Sequence, residues 1–122
     1  MKTFKLHLIR HGLTAGNLDG RYIGGGTDLP LCDEGRAQLA ELQARFEYPA
    51  VDTVFSSPML RAVETANILF PGAAHQFTVH DLREAHFGVF EGRPVKELVK
   101  DPDFSKWITP GSGFTPEGAE PT

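Results

Sequence analysis

Short apolar runs alternate with stretches of helical spacing along the chain. Phe4 to Ile9 is apolar-rich and stops abruptly at Arg10-His11-Gly12, which predicts a strand ending in a glycine-permitted turn. From Asp33, the apolar positions Leu39, Leu42 and Phe46 recur at helical spacing with Ala37, Ala40 and Ala44 beside them. Asp33 and Glu34 suit the positive end of that helix's dipole, and Tyr48-Pro49 ends it. Val51 to Ser56 is a second strand by its β-branched content. Ser57-Pro58 then supplies an N-cap and a proline at the first helical position of a helix reaching about Phe70, where Pro71-Gly72 stops it. Gln76 to His80 alternates as a third strand before the polar segment Asp81-Leu82-Arg83-Glu84, and Pro94 can open a further helix.

Strand alternating with helix predicts an α/β fold, a three-layer α/β/α arrangement around a mostly parallel central sheet. In such folds sites form beyond the carboxyl ends of the strands, which here carry Arg10-His11, Ser56-Ser57 and Asp81 to Glu84. Residues 19–31 form a Gly-rich loop with too little periodicity for an element. Pro110 to Thr122 holds six Gly or Pro in 13 residues and one large apolar side chain, Phe114, so it reads as a loop or tail. The resulting division is the N-terminal part of one domain over 1–109, with 110–122 as a Gly/Pro-rich loop or tail of the same domain.

Length and charge narrow the function classes. With 122 residues, the chain suits a single core, and 40% apolar with 23% charged residues is ordinary globular composition. A net charge of −4 leaves no basic field for nucleic acid or an anionic membrane, so neither is expected as a partner. The N-terminus has no apolar run of signal-peptide length, and the expected location is cytoplasmic. The lone Cys32 fits a reducing compartment; it stands at a helix start, where it is a poor cap rather than a nucleophile.

The candidate chemistry lies at the strand ends. Arg10, Arg61 and Asn17 supply two guanidiniums and an amide, with Arg61 in the first turn of a helix whose N-terminus itself favours anions. Such a set fits a phosphate. Phosphoryl transfer needs fixed positive charge around three equatorial oxygens and an in-line nucleophile, and the neutral imidazole of His11 can serve as that nucleophile. Glu84 can protonate the leaving oxygen. Glu91 is a second carboxyl nearby, and the more buried of the two would be the better acid. Glu64 is either an exposed helix charge or a support for Arg61. Other features read as structural. His7 and His11 lie about 13 Å apart if the segment is a strand, too far to share a metal ion. The triple glycine lacks the Gly-Lys-Ser/Thr ending of a nucleoside triphosphate loop, and Phe104 and Trp107 are packing residues.

Four blocks, in order, carry a resemblance to a known family: Leu8-Ile9-Arg10-His11-Gly12-Leu13-Thr14-Ala15-Gly16-Asn17; Asp28-Leu29-Pro30-Leu31 with Glu34-Gly35; Ser56-Ser57-Pro58-Met59-Leu60-Arg61-Ala62-Val63-Glu64-Thr65-Ala66; and Leu82-Arg83-Glu84-Ala85-His86-Phe87-Gly88-Val89-Phe90-Glu91-Gly92-Arg93. Together they resemble the histidine phosphatase superfamily, the phosphoglycerate mutase-like proteins. The resemblance implies that His11 is transiently phosphorylated, that Arg10 and Arg61 grip the phosphate, that Asn17 adds a hydrogen bond, and that Glu84 is general acid and then base. It implies Thr14, Gly24 and Thr27 along the substrate entrance, with His86 further out, and neither metal nor cofactor. The implied partner is a small phosphorylated metabolite.

Phe87-Gly88-Val89-Phe90-Glu91-Gly92 resembles the phosphatase branch, with alpha-ribazole phosphatase and sugar-phosphate phosphatases the nearest sub-groups. Phosphoglycerate mutase activity and a non-catalytic phospho-ligand binding module stand as the alternatives. Family members also carry a second histidine, followed by Gly, on a later strand. His7, His75, His80 and His86 lack that context. The sequence therefore reads as the front part of a longer enzyme, with low activity and self-association through an unfilled sheet position as expectations.

Overall fold

The computed structural model describes residues 1–121. The elements run α1 (Ala15–Leu18), α2 (Asp33–Arg45), β1 (Thr53–Ser56), α3 (Leu60–Leu69), β2 (His75–Thr78), α4 (Val95–Leu98) and α5 (Pro102–Ile108), with single 3-10 turns at His80–Leu82 and Gly88–Phe90. β1 and β2 pair in parallel, Thr53 opposite His75 and Ser56 opposite Thr78, and α3 is the crossover between them. This is the expected α/β architecture, and the Asp81 to Glu84 segment leaves the carboxyl end of β2 as the strand pattern requires.

Two local expectations need correction, and one element is added. Phe4 to Ile9 forms no strand among the described residues: none of its backbone groups bonds to another described residue, and Phe4 and Leu8 are each 87% exposed. Apolar residues favour a strand only where a neighbour accepts the backbone ladder, and no such neighbour lies beside this segment among the described residues. Pro58 does not open α3. The helix starts two residues later, at Leu60, because Asp28 reaches across from the Gly-rich loop and its Oδ1 accepts the Leu60 N–H at 2.8 Å. α1 is an addition, closed by a capping box in which Thr14 and Asn17 satisfy each other's groups.

Glu64 neither stands free nor supports Arg61. It pairs with Arg36 at 2.7 Å and accepts the Leu31 N–H at 3.3 Å, joining α3 to α2 and to the end of the Gly-rich loop. Cys32 is the N-cap of α2, its sulfur accepting the Gly35 N–H at 3.4 Å.

Burial divides into two clusters. Leu31, Leu39 and Leu69 hold α2 against α3. Phe87, Phe90, Leu98, Phe104 and Trp107 form a second, largely aromatic core, with Tyr22 stacked on Phe87 at 4.1 Å and edge-on to Phe104 at 5.2 Å. The indole N–H of Trp107 donates to the Tyr22 hydroxyl at 3.1 Å, so this buried ring leaves no polar atom unpaired. The Gly/Pro-rich end of the chain closes over this core. Phe87 bridges to Ala119, and the Val89 N–H donates to the Glu117 carbonyl at 3.0 Å. Gly88 takes a positive φ of 57° there, and a Cβ at that position would collide with the Glu117 carbonyl oxygen. Thr122 of this segment lies outside the described residues.

Candidate active site

The N-terminal segment reaches the body of the molecule at Gly12. Its N–H donates to the buried Thr65 hydroxyl on α3 at 3.0 Å, and that hydroxyl in turn donates to the Arg61 carbonyl at 2.7 Å. The residue before it, His11, is thereby set against the first turn of α3. The His11 Nδ1 lies 2.7 Å from the Gly12 carbonyl. A carbonyl only accepts, so Nδ1 carries the hydrogen and the lone pair resides on Nε2. Burial holds the imidazole pKa below its usual 6.5; the Arg61 and Arg10 charges push the same way, while the Gly12 hydrogen bond and Glu84 oppose them. Near pH 7 the ring is therefore neutral.

Arg10, His11, Thr14, Asn17, Arg61 and Glu84 line one cavity of about 430 Å³. Thus all of the four central sequence candidates, together with Asn17, meet in one place. Arg61 is only 4% exposed, and its guanidinium donates to the Thr27 carbonyl at 2.9 Å and to the Gly24 carbonyl at 3.3 Å. Two of five N–H groups are thus spent on orientation, and the remainder are available to an anion. Asn17 Oδ1 accepts the Thr14 N–H and hydroxyl, which leaves the amide donors for the cavity. Thr14 lines the cavity but is fully buried as the cap of α1. Gly24, Thr27 and His86 do not line it. The first two act on the site through their carbonyls on Arg61, and the His86 Nδ1 faces the Gly88 N–H at 3.4 Å.

The sequence marks Glu91 only as a second carboxyl near Glu84 and does not show that it holds the Gly-rich loop in this place. The Glu91 carboxylate accepts from Gly24 N–H at 2.7 Å, Gly26 N–H at 3.2 Å, the Thr27 hydroxyl at 2.8 Å and Phe87 N–H at 3.3 Å. Glu91 is thus the more buried of the two carboxyls, yet its oxygens are engaged by these four donors, which makes it a clasp for the loop. The exposed Glu84 remains open to the cavity, its Oε1 accepting only the Ala85 N–H at 3.0 Å among the described residues. The loop passes so close to Glu84 that a Cβ on Gly25 would overlap the Glu84 carbonyl oxygen. Ser57, Met59 and Arg83 also line the cavity, though their sequence context does not single them out for it; Arg83 is legible only as a charge adjoining Glu84 at a strand's end. Among the described residues no group of three or more His, Cys, Asp or Glu is placed to hold a metal ion, and no helix is long and apolar enough to cross a membrane.

Comparison with known proteins points the same way as the geometry. The chain is similar to fructose-2,6-bisphosphatase TIGAR B of Danio rerio, 38% identical over 80% of this chain and 40% of that protein. It is similar to the adenosylcobalamin/alpha-ribazole phosphatase of Salmonella typhimurium, 29% identical over 95% of this chain and 58% of that one. A 2,3-bisphosphoglycerate-dependent phosphoglycerate mutase of Bifidobacterium longum is 32% identical over 86% of this chain and 46% of the mutase. The chain thus spans about half the length of these curated relatives. The crystal structure of TTHB049 from Thermus thermophilus superposes with a TM-score of 0.71 at 38% identity, covering 93% of this chain and 61% of that one. The family model for the histidine phosphatase superfamily, branch 1, matches residues 6–122. With His11, the two arginines and Glu84 gathered around one cavity, the chain belongs to the histidine phosphatase superfamily, branch 1.

Proposed function

We propose that this chain carries the nucleophile, the anion donors and the acid of a phosphomonoesterase acting on a small phosphorylated metabolite. The observation that carries the reading is His11: a neutral imidazole with Nδ1 tied to the Gly12 carbonyl and Nε2 free, in a cavity shared with Arg10, Arg61, Asn17 and Glu84.

In the first step Nε2 attacks phosphorus and the ester P–O bond breaks, the departing alkoxide taking a proton from Glu84. Arg10, Arg61 and the Asn17 amide hold the equatorial oxygens as charge shifts toward the leaving atom. In the second step water attacks the phosphorus of phospho-His11, Glu84 takes its proton, and the N–P bond breaks to restore the imidazole. Hydrolysis is preferred to transfer within the substrate because Phe87 to Gly92 follows the phosphatase pattern, and two of the three relatives named above are phosphatases. The similarity to a mutase keeps isomerisation as the rival, and the product distinguishes them: free phosphate or a rearranged ester.

The test is His11→Ala in the full-length protein. Turnover of phosphomonoesters and incorporation of acid-labile phosphate should both vanish, and persistence of either would overturn the assignment.

A further inference from the structure

Arg83 stands on the wall of the cavity that holds His11 and also on the wall of a second, adjoining cavity of about 490 Å³, which it shares with Asp81, Ala85, Glu120 and Pro121. The mechanism above gives it no task. Its guanidinium is already occupied. Nη1 donates to Glu120 Oε2 at 2.8 Å and to the Glu84 carbonyl at 3.3 Å, and Nη2 donates to Glu120 Oε1. Glu120 Oε2 also accepts the His86 N–H at 2.8 Å. A planar fork facing two carboxylate oxygens, with a backbone donor added, is a receptor shaped for a carboxylate or a phosphate. Here a side chain of the protein itself fills it. Arg83, with the His86 N–H, holds the Glu120 carboxyl near 2, so the occupant is a full negative charge at any working pH.

We propose that the Arg83–Glu120 pair is a charge gate for the distal end of the substrate, giving preference to phosphomonoesters whose alcohol portion carries no second anionic group. The inference rests on the phosphate reading of the His11 cavity. Arg10 and Arg61 are assigned to the reacting phosphoryl group. A second anion on the same substrate would need a further cation on the wall, and Arg83 fits that need in position and shape. To use it, such an anion must displace Glu120, whose charge then repels it at close range. A neutral hydroxyl at the same end meets no such competition. The gate thus acts on substrate class and leaves the transferring groups untouched.

Glycerol 3-phosphate and 3-phosphoglycerate make a matched pair of probes, because they differ chiefly in a terminal hydroxymethyl against a carboxylate. Their affinities are measured by calorimetry on the full-length protein carrying His11→Ala, which blocks turnover, with and without Glu120→Gln. Glutamine keeps an oxygen for the His86 N–H while removing the charge. The expected result is a preference for glycerol 3-phosphate in the parent and a shift of about tenfold or more toward 3-phosphoglycerate with Glu120→Gln. Adding Arg83→Gln should erase that gain. Arg83→Gln alone, a check should the Glu120 variant not fold, should leave the acidic ester still more disfavoured than in the parent. An affinity ratio that stays within twofold across these variants, with glycerol 3-phosphate still bound, would overturn the gate alone. Binding of neither ester would overturn the phosphate reading and the gate with it.

Discussion

The two halves of the molecule treat the same residue type in opposite ways. Behind the loop that carries Glu84, Phe90 and Phe104 are 2% and 5% exposed, packed edge to face with ring centroids 5.6 Å apart. On the sheet, Phe55 and Phe77 also contact each other, at 5.7 Å, yet are 60% and 52% exposed. Aromatic contact is present in both places. What differs is the second layer: α4, α5 and the returning segment at Glu117 to Glu120 cover the first pair, and no described element covers the second. A pair of rings becomes a core only when a further surface excludes water from it. The two residues proposed to carry the chemistry inherit this difference, because Glu84 adjoins the covered half whereas His11 belongs to the uncovered segment and relies on Gly12 and Thr65 for its placement.

Substitutions can break that contrast at several strengths. The largest expected effect is on the covered half, where Phe90→Ala should destabilise the chain by about 3–5 kcal/mol in denaturant titration, while Phe77→Ala should shift the same midpoint far less. Equal losses would mean that the sheet face is covered in solution. Next in size, Gly25→Ala should lower turnover by about a hundredfold, since the methyl must displace the backbone that carries Glu84; steady-state kinetics on the full-length protein checks this, and the fall should be in kcat more than in KM.

Smaller effects sharpen the comparison through protonation. The proposed reaction requires neutral His11, so kcat/KM should fall as pH drops through the lowered imidazole pKa, placing the acid limb below 6.5. Arg10→Gln removes one of the charges that lower it, and the limb should move upward. The covered half has its own pH signature. The Glu120 carboxyl is lowered from 4.5 to about 2, chiefly by the Arg83 hydrogen bonds and then by the His86 N–H. The sign follows from linkage: the pair's stabilisation is fully present above the unfolded value near 4.5 and is lost as pH falls toward 2. Glu120→Gln should flatten that part of an acid unfolding curve, measured by circular dichroism, by a modest amount suited to a partly exposed pair.

Much of this arrangement is legible in the residues. The positions of α2, β1, α3 and β2 follow from periodicity and from Pro-Gly stops, and the four motif blocks bring His11, Arg61 and Glu84 to one end of the strands. Periodicity fails at Phe4 to Ile9 because a strand is a property of two neighbours, and a single segment's pattern describes only one of them. It fails at Pro58 because the cap of α3 comes from Asp28, distant in sequence. The role of Glu91 is hidden for a related reason. A carboxyl's proximity to a catalytic one is visible in sequence, but the four donors that consume it converge only in the folded loop.

The Thr65 hydroxyl accepts from the peptide that follows His11 and donates to the carbonyl of Arg61. His11 and Arg61, the nucleophile and anion donor of the proposed reaction, are therefore referenced to a single oxygen. For the proposed reaction, the entropic cost of bringing the two into register would then be met at folding and not at each turnover. A valine there would keep the shape and sever the reference; a serine would keep the reference and loosen only the packing.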